Sequence, residues 1–244
     1  KLYAREQRPE HPYLRDYRES FCYDDYFESE TDVRRAIAGY FGLVSYLDEN
    51  IGKILRALDE TGLSANTRVM YTSDHGDNLG SWGLWGKSTM YEEIAGVPWI
   101  LAGPGVPGGR RVDTPVSHVD AFPTIVDTVG VPFDSVREGH PGVNLLDIAH
   151  GASPDRTVLS EYHGAFAIRH GKYKYVHYVA YAPQLFDLQA DPEEIHDLAD
   201  DPAHAGMLAA CRERLYGLCD PEEVDRHAKA RQAELLAANG GRQA

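Results

Sequence analysis

Cysteine is scarce in this sequence: Cys22, Cys211 and Cys219 are the only three in 244 residues. They form no CxxC pair and no Cys/His cluster with zinc spacing, so neither a disulfide framework nor a structural zinc site is indicated. A reducing cytoplasm is the expected compartment. Long apolar runs are missing as well. No stretch approaches the roughly 20 residues that carry a helix across a bilayer, so no membrane span is expected. Positive charge is in deficit, with 24 Lys and Arg against 38 Asp and Glu and a formal net charge of −14. Such a field repels phosphate backbones and anionic lipid, which argues against nucleic acid or a membrane as partner. An anionic substrate would need a local positive site, a metal ion or a Lys, set against that field. Internal repeats and low-complexity tracts are also lacking. The chain begins Lys1-Leu2-Tyr3 without an initiator Met, so any leader would lie upstream of what can be read.

What is present is ordinary for a globular chain: 43% hydrophobic and 25% charged residues, which argues against disorder. The first thirty residues, rich in Tyr, Arg, Glu and Pro, show no periodicity and suggest an extended surface segment. From Val33 the texture changes. Val33, Ile37, Tyr40, Val44, Leu47, Ile51, Ile54 and Leu58 recur in steps of four and three, which predicts one long amphipathic helix. Ser29 with Asp32 caps its start and Gly62 stops it. Thr67 to Thr72 predicts a strand running into the polar loop Ser73-Asp74-His75-Gly76-Asp77-Asn78, half of a βαβ unit. Val97 to Leu101 is a second strand, ended by Gly103-Pro104-Gly105, and a helix runs from Asp120 towards Gly130 with Pro123 in its first turn. Beyond residue 157 the chain is β-rich: Val158–Tyr162, Phe166–Arg169, Tyr173–Tyr178 and Gln184–Leu188 are short strands, with His170-Gly171 turning one hairpin. The tail from Ala203 is helical. These elements predict an α/β domain over residues 1–150 and a smaller antiparallel subdomain with a helical tail over residues 151–244.

The residues richest in chemistry follow the first strand. Sites in open α/β sheets form at the carboxyl ends of strands. There Asp74 and His75 set a carboxylate beside an imidazole, both able to reach one divalent cation, and Gly76 lets the backbone turn close to it. By chemistry alone the same run also fits a polar turn. Twelve residues after His75, beyond a loop containing Trp82 and Trp85, comes Lys87, whose compact ammonium suits a tetrahedral anion. The two tryptophans are either pocket walls or ordinary packing.

Thr72-Ser73-Asp74-His75-Gly76-Asp77-Asn78-Leu79-Gly80, then Gly86-Lys87, Val97-Pro98-Trp99-Ile100 and Asp120-Ala121-Phe122-Pro123-Thr124-Ile125, resembles the C-terminal half of sulfatases in the alkaline phosphatase superfamily. The resemblance resumes in Ala167-Ile168-Arg169, Lys172-Tyr173-Lys174-Tyr175, Leu185-Phe186-Asp187-Leu188 and Asp191-Pro192-Glu193-Glu194. It implies an alkaline-phosphatase-like sandwich and hydrolysis of a sulfuric ester. It also implies that Asp74 and His75 are two ligands of one divalent metal ion, and that Lys87 binds the sulfuryl group and the bridging oxygen. His75, where many sulfatases carry Asn, is similar to the branch of choline sulfatases and phosphonate monoester hydrolases, so a small-molecule sulfate or phosphonate ester is the expected substrate. Ca²⁺ or Mn²⁺ is the expected ion, the imidazole being the less suited to Ca²⁺. His163, in Tyr162-His163-Gly164 after a strand, is a candidate substrate contact. Asp120 is read as a helix cap, His118 as structural and Asp77 as a loop hydrogen-bonder. The family's nucleophile, a formylglycine made from the Cys or Ser of Cys/Ser-x-Pro-x-Arg, has no counterpart around Cys22, Cys211 or Cys219. The early Asp-Asp metal pair is also lacking, since Asp24-Asp25 follows no apolar strand. The expectation is therefore a C-terminal fragment that works with an N-terminal half of the same enzyme, or else an exposed apolar surface over the helix from Val33 to Leu58. A non-catalytic scaffold is the alternative of another class, and the tail is a candidate arm for a homo-oligomer.

Overall fold

A helix, α1 (Pro12–Phe21), opens the computed structural model, which describes residues 10–135, 138–152 and 154–241. This corrects the extended segment expected at the N-terminus, whose first nine residues lie outside the described ones. Pro12 occupies the first turn, where a missing N–H costs nothing. Leu14, Tyr17 and Phe21 then share one face: Leu14 is fully buried, and the Tyr17 and Phe21 rings lie 4.9 Å apart. Cys22 ends the helix in a left-handed conformation, its amide donating to the Arg18 carbonyl.

The chain divides into two units, residues 1–87 with 96–154 and residues 88–95 with 155–244. In the first, α2 (Glu30–Glu60) is the long helix that the spacing predicts, capped by the Ser29 hydroxyl on the Asp32 amide and stopped at Gly62. None of its 31 residues is buried. On the stripe, Val44, Leu47 and Ile54 are 45%, 48% and 68% exposed, so much of it lies open, and contiguous apolar surface of that kind marks an interaction site. Strand β1 (Val69–Thr72) pairs with β2 (Trp99–Ala102) antiparallel, Thr72 opposite Trp99. Between them the chain has only the short 3₁₀ turn Ser81–Gly83 and the four-residue helix α3 (Glu92–Ala95), and an antiparallel pair needs no crossover helix. After β2 the turn closes on Gly103 at φ +117, where a Cβ would stand 2.5 Å from the Thr67 carbonyl oxygen. Helix α4 (Ala121–Thr128) follows a 3₁₀ turn, His118–Asp120. Asp120 is structural, as expected, but by a different bond. It is the third residue of a capping box with Ser117, fully buried, and accepts the amides of Ser117 and Val143 at 2.8 and 2.9 Å. A short helix without a counterpart in the sequence pattern, α5 (Leu145–His150), completes the unit.

The second unit is built on a four-stranded antiparallel meander: β3 (Thr157–Tyr162), β4 (Ala165–His170), β5 (Tyr173–Tyr178) and β6 (Gln184–Asp187). His163 and Gly164, at φ +48 and +75, form the β3–β4 turn, the mirror-image geometry that matches strand twist. The β4–β5 turn is centred on Gly171-Lys172, one residue later than expected, with Gly171 at φ +56. Helices α6 (Ala205–Leu218) and α7 (Pro221–Ala238) supply the tail. Phe166, Ile168, Tyr175 and Leu185 from the sheet close a core with Cys211 and Leu215 of α6.

Residues 88–95 join this unit through a buried ion cluster. Lys174, 2% exposed, places its ammonium 2.6 Å from Glu194 and 3.1 Å from Glu92. Glu194 also accepts the Glu92 amide at 2.6 Å, Arg169 stands 3.6 Å from Glu92, and the Tyr91 ring lies against Phe186. Burial pushes the Glu194 carboxyl above its ordinary range even beside Lys174. Leaving one buried charge without its partner destabilises strongly. We therefore expect Lys174→Met to lower unfolding free energy by about 3–5 kcal/mol in denaturant titrations, and Lys174→Met with Glu194→Leu to recover most of the loss. At the end of β6, Asp187 accepts Lys172 Nζ at 2.6 Å and the amides of Gln189 and Ala190, and these bonds hold its carboxyl below the usual range. A depressed carboxylate stabilises above its unfolded pKa and loses that contribution as pH falls through the folded one. Thermal melts of wild type and Asp187→Asn should therefore differ at pH 7 and converge as acid takes the pH below the depressed folded pKa of Asp187.

Candidate functional site

Strand β1 ends at Thr72, and the next residues are fixed by short bonds before any ligand is considered. The Ser73 hydroxyl donates to the His75 carbonyl at 2.8 Å, and the Ser73 carbonyl accepts from His118 Nε2 at 2.7 Å. His118 was set aside as structural, and here it steers the peptide just ahead of Asp74. The His75 amide donates to Asp74 Oδ1 at 3.0 Å. That bond holds the Asp74 carboxyl below its ordinary range, with the Lys87 charge acting in the same direction.

The His75 ring is oriented by its own neighbour. Nδ1 lies 2.8 Å from the Gly76 carbonyl oxygen, which can only accept, so Nδ1 donates there and Nε2 is turned towards Asp74. Nε2 stands 3.5 Å from Asp74 Oδ2. A carboxylate oxygen and an imidazole nitrogen at that spacing can share a proton or a metal cation. Both would be within ligand distance, roughly 2.0–2.6 Å, of one cation, so the donor set fits a divalent metal ion. The Asp74 side chain is 85% exposed and His75 38%, which leaves both accessible. Among the described residues no three His, Cys, Asp or Glu side chains converge on one point, so what the chain offers is a pair of donors.

Lys87 is delivered by a loop closed on itself. Asp77 Oδ1 accepts the amides of Leu79 and Gly86 at 2.7 and 3.2 Å. The fully buried Asn78 bonds the Gly86 carbonyl twice, from its amide at 2.8 Å and its side chain at 3.0 Å. Trp82 and Leu84 are buried, and Trp85 packs on Phe27 at 4.6 Å, so both tryptophans are packing residues. Asp77 is the loop hydrogen-bonder expected of it. Lys87 itself is exposed, and its charge bears on Asp74. His163 lies in the other unit, exposed at the tip of the β3–β4 turn with its ring against Tyr162. The partner that sequence reasoning missed is Tyr17, whose hydroxyl donates to the Lys87 carbonyl.

The family described as Sulfatase matches residues 8–131, just over half of the chain. The chain belongs to the sulfatase family. A second family, N-sulphoglucosamine sulphohydrolase, C-terminal, matches residues 80–220 of this sulfatase-family chain. Choline-sulfatase of Rhizobium meliloti (strain 1021) is 37% identical over 220 residues, covering 86% of this chain and 43% of that protein. Among solved structures, a 2-O GAG sulfatase matches 78% of this chain and 44% of its own, with a TM-score of 0.67 and 29% identity. The phosphonate monoester hydrolase of Agrobacterium radiobacter matches 73% and 40%, with a TM-score of 0.64 and 29% identity. The fold is that of the alkaline phosphatase superfamily, as the sequence resemblance implies. This sulfatase-family chain spans less than half the length of each of these relatives.

The loop closure makes a prediction that needs no activity. Asp77→Ala should open residues 77–86 and speed amide exchange at Leu79 and Gly86, read by hydrogen–deuterium exchange. Asp77→Asn, whose side-chain oxygen can still accept both amides, should leave that protection largely intact.

Proposed function

We propose that this chain is the C-terminal portion of a metal-dependent sulfuric ester hydrolase, with Asp74 and His75 as two ligands of a divalent ion and Lys87 on the sulfuryl group. The observation that carries this reading is the facing pair Asp74 Oδ2 and His75 Nε2, 3.5 Å apart just after β1, with the Lys87 charge acting on Asp74. Membership of the sulfatase family supports it. When bound, the ion, Ca²⁺ or Mn²⁺, would neutralise charge on the non-bridging oxygens of the ester.

The rest of the chemistry falls to the chain's own groups. As the ester S–O bond breaks, its electron pair moves onto the departing oxygen. Lys87 meets that charge with an ammonium hydrogen bond, strongest where the charge is greatest. The −14 net charge makes this local cation necessary, because the global field repels an anionic ester. His75 is kept as a ligand by its Nδ1 bond to the Gly76 carbonyl, and Asp74 is kept ionised by the His75 amide. The formylglycine nucleophile and the remaining ligands belong, in this proposal, to an N-terminal half of the same enzyme, and the open stripe of α2 is a surface on which such a half could pack. His163 is a candidate substrate contact.

A phosphonate monoester or phosphodiester hydrolase is the second reading, favoured by the Agrobacterium radiobacter structure. Paired assays of the complete protein with an aryl sulfate and an aryl phenylphosphonate separate the two by their kcat/KM ratio. Lys87→Ala in the complete protein is expected to lower kcat by about 10²-fold or more, the size of losing one such electrostatic contact. An unchanged kcat removes Lys87 from the site. Calorimetric titration with Mn²⁺ or Ca²⁺ should show binding that Asp74→Ala abolishes. Absence of binding in the complete protein favours a non-catalytic scaffold.

A further inference from the structure

We propose that Tyr17 is a positioning residue for Lys87, acting from α1 on the peptide that carries the lysine; this rests on the reading of Lys87 given above. The Tyr17 hydroxyl donates to the Lys87 carbonyl oxygen across 70 residues of sequence. Its single proton is thereby used. The Tyr23 hydroxyl, 3.2 Å away, must then donate into the Tyr17 oxygen, which aligns Tyr17 on its target. The rings themselves are held by packing: Phe21 and Tyr23 stack with centroids 5.6 Å apart, and Tyr17 lies 4.9 Å from Phe21. The rings of Tyr17, Phe21 and Tyr23 thus pack together, with one hydroxyl directed at the site loop.

The backbone at that point needs such a brace. Lys87 is bracketed by Gly86 at φ +65 and Ser88 at φ +92. Glycine adopts the first without strain, but a serine at φ +92 is strained and persists only where its surroundings hold it. The Ser88 φ is a rotation about the bond that follows the Lys87–Ser88 peptide, and the carbonyl of that peptide is the one Tyr17 holds. From the other side, Asp77 and Asn78 hold Gly86. With both flanks fixed, the backbone from which the lysine side chain leaves is held in place, and its charge acts on Asp74. A catalytic contact displaced by about 1 Å can lose much of its effect, so a hydroxyl on the main chain can matter to the reaction without touching substrate.

A double-mutant cycle in the complete protein tests this, using a series of aryl sulfates of graded leaving-group acidity. Tyr17→Phe keeps the ring and removes only the hydroxyl. We expect kcat to fall about tenfold with KM unchanged, and the rate to depend more steeply on leaving-group acidity, in the same direction as in Lys87→Ala. In the Lys87→Ala background, Tyr17→Phe should add no further loss. Tyr23→Phe, which takes away the hydroxyl aligning Tyr17, should show the same coupling at smaller amplitude. It provides the cycle if Tyr17→Phe does not fold. Additive losses, or an unchanged leaving-group dependence in Tyr17→Phe while Lys87→Ala alters it, overturn the role of Tyr17 and leave that of Lys87 standing. If Lys87→Ala itself changes neither kcat nor the leaving-group dependence, the reading of Lys87 fails first, and this one with it.

Discussion

Two backbone amides on one carboxylate oxygen hold the candidate site together. Asp77 Oδ1 gathers the N–H groups of Leu79 and Gly86, and Asn78 binds the Gly86 carbonyl alongside. The chain leaves β1, runs around a loop and returns within reach of its starting point, so that a residue distant in sequence from Asp74 lies within its field. Closing such a loop costs conformational entropy on every encounter unless the folded state has already closed it. Here the closure is made by the chain's own bonds, and Trp82 and Leu84 within this stretch are buried. The donors Asp74 and His75 and the cation Lys87 therefore belong to one locally determined piece of structure.

Two lysines in this chain show opposite uses of the same ammonium. Lys174 is sealed among Glu92 and Glu194, its charge fully answered and its donors committed to holding residues 88–95 on the sheet. Lys87 is exposed, and its charge acts on Asp74. A buried, answered charge defines where a segment goes, and an exposed one can meet an incoming anion. In a chain of net charge −14 the second kind is effective only if it is placed, and the bonds around Gly86 and Lys87 do the placing.

Much of this was legible in the sequence wherever one local rule dominated. The four-three spacing from Val33 with Ser29 ahead of it marked α2, and the short strands of the meander stood out between Gly-containing turns. Asp74, His75 and Lys87 stood out as a motif, and the structure adds the Nδ1 bond that orients His75 and the loop that returns Lys87. What was not legible depends on partners far away in sequence. Helix α1 looked irregular because Leu14, Tyr17 and Phe21 are scattered among Arg, Glu and Tyr, and only packing selects their shared face. The allegiance of residues 88–95 is decided by Glu92 meeting Lys174, 82 positions later. The antiparallel pairing of β1 and β2 follows from a long connection without a crossover helix, which a helix–turn–strand pattern cannot reveal. Tyr17 had no local signal at all, since its role is defined by a carbonyl 70 residues downstream.

The buried cluster of Lys174, Glu194 and Glu92 also has a thermal consequence. Hydration of ions becomes less favourable as temperature rises, so withdrawing these groups from water is penalised less in warm solution than in cold. Apolar contacts in the same unit, such as Tyr91 on Phe186, show no such continuing gain. The tether that fixes residues 88–95 should therefore outlast its apolar neighbours on heating, and the sheet it is fastened to sets the temperature at which that segment lets go.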